Sequence, residues 1–130
     1  MDVPCPCGNA RHYRDCCGVF LESDARPETA EQLMRSRYTA YVLQNEPYLL
    51  ETWHPATRPA ALHLGDAAPI KWLGLLIKRK ERGGKNDFDG VVEFVARFKI
   101  HGKAERLHET SRFVKENGRW YYQNAVDETH

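Results

Sequence analysis

Apolar positions recur at helical spacing in the first half of the chain and at strand spacing in the second. Ala30, Leu33, Met34, Tyr38, Tyr41 and Val42 fall on one helical face, interrupted by Arg37. Thr29-Ala30-Glu31-Gln32 has the form of a capping box, with Thr29 as N-cap and Gln32 at the third helical position. Asn45-Glu46-Pro47 reads as a stop and a restart, because proline is tolerated in a first helical turn. Tyr48, Leu49, Glu51, Thr52 and Trp53 then make a short second helix that Pro55 ends, and a third short helix is expected near Pro59 to His63. Phe20 to Pro27 lacks periodicity and reads as a connector.

The later segments alternate. Trp72 to Arg79 reads as a first strand, and the polar run Lys78 to Asn86, with Gly83-Gly84, as a loop. From Gly90 to Ile100, residues Val92, Phe94, Ala96, Phe98 and Ile100 point one way, and Val91, Glu93, Val95, Arg97 and Lys99 the other. His101-Gly102-Lys103 makes a turn. Arg106 to Lys115 and Arg119 to Asn124 pair around Asn117-Gly118, a strong two-residue hairpin signal. In that register Glu116 faces Arg119, Val114 faces Tyr121 and Phe113 faces Tyr122. Helices followed by an antiparallel sheet define an α+β domain, and a curved sheet closing on the helices would leave a hollow at its open end.

Composition narrows the partners more than the fold. Hydrophobic residues make up 42% of the 130 and support a real core, while acids and bases nearly balance at +1. That balance gives no electrostatic reason to expect nucleic acid. No apolar run approaches the roughly 20 residues of a membrane helix. The N-terminus has neither the basic region nor the apolar stretch of a signal peptide, which points to the reducing cytoplasm. In that compartment clustered cysteines read as metal ligands before disulfides.

All four cysteines lie in the first 17 residues, as Cys5-Pro6-Cys7 and Cys16-Cys17. Each pair brings two thiols to one end of a loop, and a returning loop can close a tetrahedral shell around zinc. Gly8 and Gly18 follow the pairs, where tight turns call for positive φ. Arg11, His12 and Arg14 would partly offset the doubly negative centre, and His12 is a conceivable substitute for one thiol ligand. Joining Cys16 to Cys17, or Cys5 to Cys7, would need a strained ring. Crossed disulfides after oxidation and an iron–sulfur cluster are the competing readings.

Cys5-Pro6-Cys7-Gly8-Asn9-Ala10-Arg11-His12-Tyr13-Arg14-Asp15-Cys16-Cys17-Gly18 resembles the SEC-C zinc motif, named for the C-terminus of the translocase ATPase SecA, where it helps bind the export chaperone SecB. Asn9-Ala10 stands where the motif usually has Ser-Gly, and Arg11 and Arg14 where lysines are common. The whole chain resembles the YchJ-like family of bacterial proteins, largely uncharacterised. The resemblance runs through Leu33-Met34-Arg35-Ser36-Arg37-Tyr38, Trp53-His54-Pro55, Trp72-Leu73-Gly74-Leu75, His108-Glu109-Thr110-Ser111-Arg112-Phe113 and Gly118-Arg119-Trp120-Tyr121-Tyr122. It implies a SEC-C module over residues 1–19, a connector over 20–27, and an NTF2-like cone of curved antiparallel sheet on helices over 28–130. Some relatives carry a second such motif, whereas no cysteine follows Cys17 here.

Two functions follow as expectations. The first is a binding module: the zinc unit offers Arg11, His12, Tyr13 and Arg14 to a protein partner, and the cone holds a small molecule, with Arg37 and Arg97 as candidate contacts. The second is a hydrolase, isomerase or dehydratase in the cone, with His54, Glu93, His108 and Glu109 as candidate acids and bases. His108 and Glu109 alternate on their strand, so at most one of them joins Glu93 on a given face. Arg37 is the expected partner of Glu93, Glu109 or a bound anion. His54 is equally readable as a helix-end cap, and the tryptophans and tyrosines as core.

Overall fold

A computed structural model describes residues 3–62, 64 and 69–126. Its elements are a 3₁₀ turn at Tyr13–Asp15, helices α1 (Gly18–Leu21), α2 (Ala30–Val42) and α3 (Glu46–Glu51), and strands β1 (Ile70–Arg82), β2 (Asp89–Ile100), β3 (Lys103–Glu116) and β4 (Arg119–Ala125). The strands form one antiparallel sheet in the order β1-β2-β3-β4, each hydrogen-bonded to its sequence neighbour.

The start of α2 is set by its cap. Thr29 Oγ1 accepts from Gln32 N at 3.1 Å, and Gln32 Oε1 accepts from Glu28 N at 2.7 Å. Two further bonds anchor that end to the sheet: Ala30 N donates to Gly83 O at 2.9 Å, and Trp120 Nε1 donates to Glu28 O at 3.0 Å. Asn45 caps α3 by accepting from Tyr48 N at 3.2 Å. The chain leaving α3 then runs beside β4, where Tyr122 N donates to Thr52 O and His54 N to Tyr122 O, both at 2.8 Å.

The hairpin between β3 and β4 has the expected register, with Glu116 opposite Arg119, Val114 opposite Tyr121 and Phe113 opposite Tyr122. Asn117 (φ 54°) and Gly118 (φ 78°) carry the two positive φ angles that such a two-residue turn needs. The alternation of β2 also holds. Val92, Phe94 and Ala96 are buried against Leu33, Met34 and Tyr38 of α2, with Phe113 and Trp120 in the same core.

Four expectations change. Phe20 and Leu21 belong to α1 rather than to a connector, and Leu21 packs on the core. β1 continues to Arg82, so the basic run is mostly strand and the loop is confined to 83–88. Residues 59–62 form no helix, and His63 lies outside the described residues. The cysteine module is not an appendage: Cys5, Cys7 and Cys17 are buried in the same cluster as α2 and β2.

Candidate functional site

The cysteine loop closes on itself by backbone pairing. Tyr13 N donates to Val3 O and Cys5 N to Arg11 O, both at 2.8 Å, which brings Cys5 and Cys7 beside the second pair. Gly8 turns the chain with φ 80°, as expected. Gly18 serves a different purpose: a Cβ there would lie 2.7 Å from Tyr13 O, so close packing rather than positive φ requires glycine. Cys16 and Cys17 then lead into α1, whose Phe20 N and Leu21 N donate to Cys17 O at 3.0 Å.

The four Sγ atoms all lie within 4.8 Å of one another, and those of Cys7 and Cys16 are 3.6 Å apart. All four cysteines are free thiols. Bonds of about 2.3 Å in a tetrahedral ZnS₄ centre place sulfurs about 3.8 Å apart, so the set can hold a metal ion of that size with little movement. The Cys17 thiol, by hydrogen bonding to Cys7, brings Cys7 down to about 5, and that same bond, with burial, pushes Cys17 up. Burial and then the bond to Cys7 push Cys16 up to about 11. A cation that draws off the remaining protons would satisfy every sulfur at once.

Three neighbours that the sequence did not single out support this cluster. Arg35 Nη1 donates to Cys7 O at 2.8 Å, Asn9 Nδ2 lies 3.7 Å from Cys16 Sγ, and Thr39 Oγ1 lies 3.8 Å from Cys5 Sγ. His12 is exposed and outside the sulfur set, so it replaces no ligand. Arg11 and Arg14 are exposed and Tyr13 is half-buried.

Between α2 and the inner face of the sheet lies a second feature, a largely apolar cavity of about 430 Å³. Tyr38, Tyr41, Trp53, Trp72, Phe94, Ala96, Leu107 and Tyr122 form much of its wall, Arg37 and Glu109 are its charged residues, and Gln44 and Ser111 join the tyrosines as its neutral polar ones. Arg37 is only 4% exposed. Its Nη1 donates to Leu49 O at 2.8 Å and to Thr52 Oγ1 at 2.7 Å. The guanidinium sits 5.1 Å from the Trp53 ring centre and 4.7 Å from that of Tyr122. Among the described residues it makes no ion pair, and burial pulls its pKa down. Glu109 accepts from Ser111 Oγ at 2.6 Å and, more weakly, from Tyr122 OH at 3.4 Å. Burial and then Glu109 push Tyr122 up to about 12. Trp53 Nε1 is buried with no hydrogen-bond partner.

Of the four acid–base candidates, only Glu109 faces this cavity. Glu93 points to the outer face, where its carboxylate binds His108 Nε2 at 2.6 Å and Arg79 Nε at 3.1 Å. His108 and Glu109 therefore do diverge, as strand alternation requires. Arg37 pairs with neither Glu93 nor Glu109, contrary to expectation, because it is buried against the rings of Trp53, just past α3, and Tyr122 of β4. Arg97 is exposed on the outer face, opposite Arg106, and contacts no cavity. His54 is a hydrogen-bonded histidine beyond the end of α3 rather than a cap on its carbonyls: Nδ1 accepts from Ala56 N at 3.0 Å, and Nε2 lies 2.8 Å from Glu116. Tyr41, Ser111 and Tyr122 were missed as site residues, since in sequence they are indistinguishable from core and strand positions.

A helix-covered antiparallel sheet around a cavity, with a four-cysteine loop at its N-terminus, defines an NTF2-like domain carrying a SEC-C-type module. Residues 29–125 match the family described as YchJ, middle NTF2-like domain, and the chain belongs to that family. A UPF0225 protein of Chromobacterium violaceum is 62% identical over 124 residues, covering 94% of this chain and 91% of that protein. One from Bordetella pertussis is 54% identical over 124 residues, covering 91% and 88%. The solution structure of a SEC-C motif containing protein from Rhodopseudomonas palustris superposes with a TM-score of 0.83 at 36% identity, covering 98% of this chain and 100% of that one. The crystal structure of another from Psychrobacter arcticus gives 0.72 at 27% identity, covering 97% and 84%. No helix among the described residues is long and apolar enough to cross a membrane.

Proposed function

We propose that the chain is a small-molecule-binding protein whose cavity, between α2 and the sheet, is the ligand site, and whose N-terminal module is held in place by zinc. The observation that carries the binding reading is Arg37: a guanidinium buried in a cavity wall, without a carboxylate partner among the described residues, is costly to maintain unless something else uses it. The apolar walls with a few convergent polar groups fit a ligand pocket of ordinary size.

Zinc is supported by the donor set, four thiols with converging sulfurs, and by the burial of Cys5, Cys7 and Cys17 in the domain core. A ZnS₄ centre has no open coordination position, so its contribution is structural rather than catalytic. Cys5, Cys7, Cys16 and Cys17 would hold the ion, and Arg35 and Asn9 would stabilise its thiolates. The same reading places the chain in a reducing compartment such as the cytoplasm. The exposed Arg11, His12 and Arg14, with Tyr13 between them, are the surface offered to a protein partner. Charge reversal at Arg11 should weaken that contact and leave cavity binding unchanged.

The test is a thermal-shift screen of the zinc-loaded chain against small metabolites. A bound ligand raises the midpoint, since it binds only the folded form. The rise should vanish in Ala96→Leu, which fills the cavity, provided that variant folds and keeps its zinc. A hit that Ala96→Leu binds equally well would place the site elsewhere. An enzymatic reading is favoured by one observation, the Glu109 carboxylate facing the cavity with Ser111 and Tyr122 behind it. In that case Glu109→Gln would retain the ligand and lose its turnover.

A further inference from the structure

The cavity's two charges constrain what can occupy it. Arg37 on α2 and Glu109 on β3 both line it, and yet among the described residues they form no ion pair. Their formal charges cancel. In a wall of low polarity, an added anion would meet Glu109 and an added cation would meet Arg37, each unscreened by water. A wholly apolar guest fails for another reason. It would strip water from a guanidinium and a carboxylate and return no hydrogen bond, at a cost of about 1–3 kcal/mol or more for each group.

What remains is a guest that is neutral overall and polar at one end. Arg37 can only donate, and Glu109, when ionised, can only accept. Nη1 of Arg37 is already engaged by Leu49 O and Thr52 Oγ1. Its fork has further N–H groups. The donor side of the cavity is therefore the Arg37 side, and the acceptor is Glu109. The rings of Tyr38, Tyr41 and Trp72 make part of the remaining wall aromatic.

We infer that the cavity takes an uncharged, mainly apolar molecule that carries both a hydrogen-bond acceptor and a hydrogen-bond donor, as a primary amide or a cyclic lactam does, with the acceptor toward Arg37 and the donor toward Glu109. This rests on the reading of the cavity as a ligand site, and it adds the chemical class of the ligand.

Four probes of one size separate the possibilities: benzamide, benzoate, benzylamine and toluene, titrated to about 10 mM, the range in which so small a molecule binds. Chemical shifts of the ¹⁵N-labelled, zinc-loaded chain are followed at Trp53 Nε1 and at the backbone of Ala96 and Tyr122. Benzamide should bind about tenfold more tightly than the other three. Glu109→Gln, which leaves the cavity with a net positive charge, should improve benzoate relative to benzamide. Benzoate, benzylamine or toluene binding to the unaltered chain as tightly as benzamide would overturn the assigned ligand class while leaving the cavity as a ligand site. If none of the four moves the cavity resonances, the reading of the cavity itself fails as well.

Discussion

Arg97 lies directly opposite Arg106 in the β2–β3 ladder, and Lys71 lies directly opposite Lys99 in the β1–β2 ladder on the same outer face. All four are exposed, and none makes an ion pair among the described residues. Like charges facing each other across strands destabilise a sheet by a few tenths of a kcal/mol to about 1 kcal/mol. Arg97→Glu should therefore raise stability, by about 0.5 kcal/mol at low salt, with the gain shrinking as salt screens it. Urea unfolding of both chains at two ionic strengths reads this directly. A loss of stability would mean that the Arg97 side chain packs more than it repels.

Glu93 gives the outer face a pH dependence. Its hydrogen bond with His108, and then that with Arg79, hold its carboxyl below the ordinary value of 4.5. A depressed carboxyl pKa stabilises the folded state above the unfolded-state value and ceases to do so as pH falls through the folded-state value. The stability difference between the natural chain and Glu93→Gln should fade as pH falls below about 4.5. Because solvent reaches the half-buried carboxylate, the effect is small and best read as a shift in urea midpoint. A difference that stays level down to pH 3 would remove the linkage.

Metal removal should reach the core and not only the N-terminal loop. Because Cys5, Cys7 and Cys17 are buried with Leu33, Tyr38 and Val92, stripping the ion under reducing conditions should lower the melting midpoint on the order of 10 °C. Cys17→Ser should do the same and bind less than one equivalent of zinc. An unchanged midpoint after complete chelation would show that packing alone holds the module.

Trp120 ties β4 to the start of α2. It is 1% exposed and donates to Glu28 O at 3.0 Å. Trp120→Ala should cost about 3–5 kcal/mol from lost burial and the cavity left behind. Trp120→Phe keeps most of the volume and should cost about 1–2 kcal/mol, the share of the hydrogen bond. A Trp120→Phe chain as stable as the natural one, measured by chemical denaturation, would deny the indole bond any weight.

Local signals were readable from sequence and long-range ones were not. Thr29, Asn117-Gly118 and the alternation of Val92, Phe94 and Ala96 act within a few residues of themselves, so each was placed correctly. The four cysteines were placed together because their spacing is itself local. Arg37 was not placed, since its burial depends on Thr52 and Trp53, just past α3, and on Tyr122 of β4, two segments remote from it in sequence. Glu93 and His108 looked like active-site residues for the same reason: residue type reveals chemistry, but which side of a curved sheet faces the cavity is decided only when α2 docks. Arg35, remote in sequence from Cys7, gave no hint of its role beside it.

The length of β1 has a consequence for how copies of this chain meet. β4, at the other end of the sheet, is short, and Thr52 and His54 already occupy part of its open flank. β1, 13 residues long, is the other end strand, and among the described residues no strand pairs with its outer side, an invitation for a second molecule to add one. Its register breaks between Trp72 and Gly74 and between Ile77 and Arg79, and its last third is Lys78-Arg79-Lys80-Glu81-Arg82. Irregular pairing and a row of charged side chains are the means by which natural sheets discourage such stacking. The run that resembles a solvated loop in sequence thus acts as a guard against aggregation.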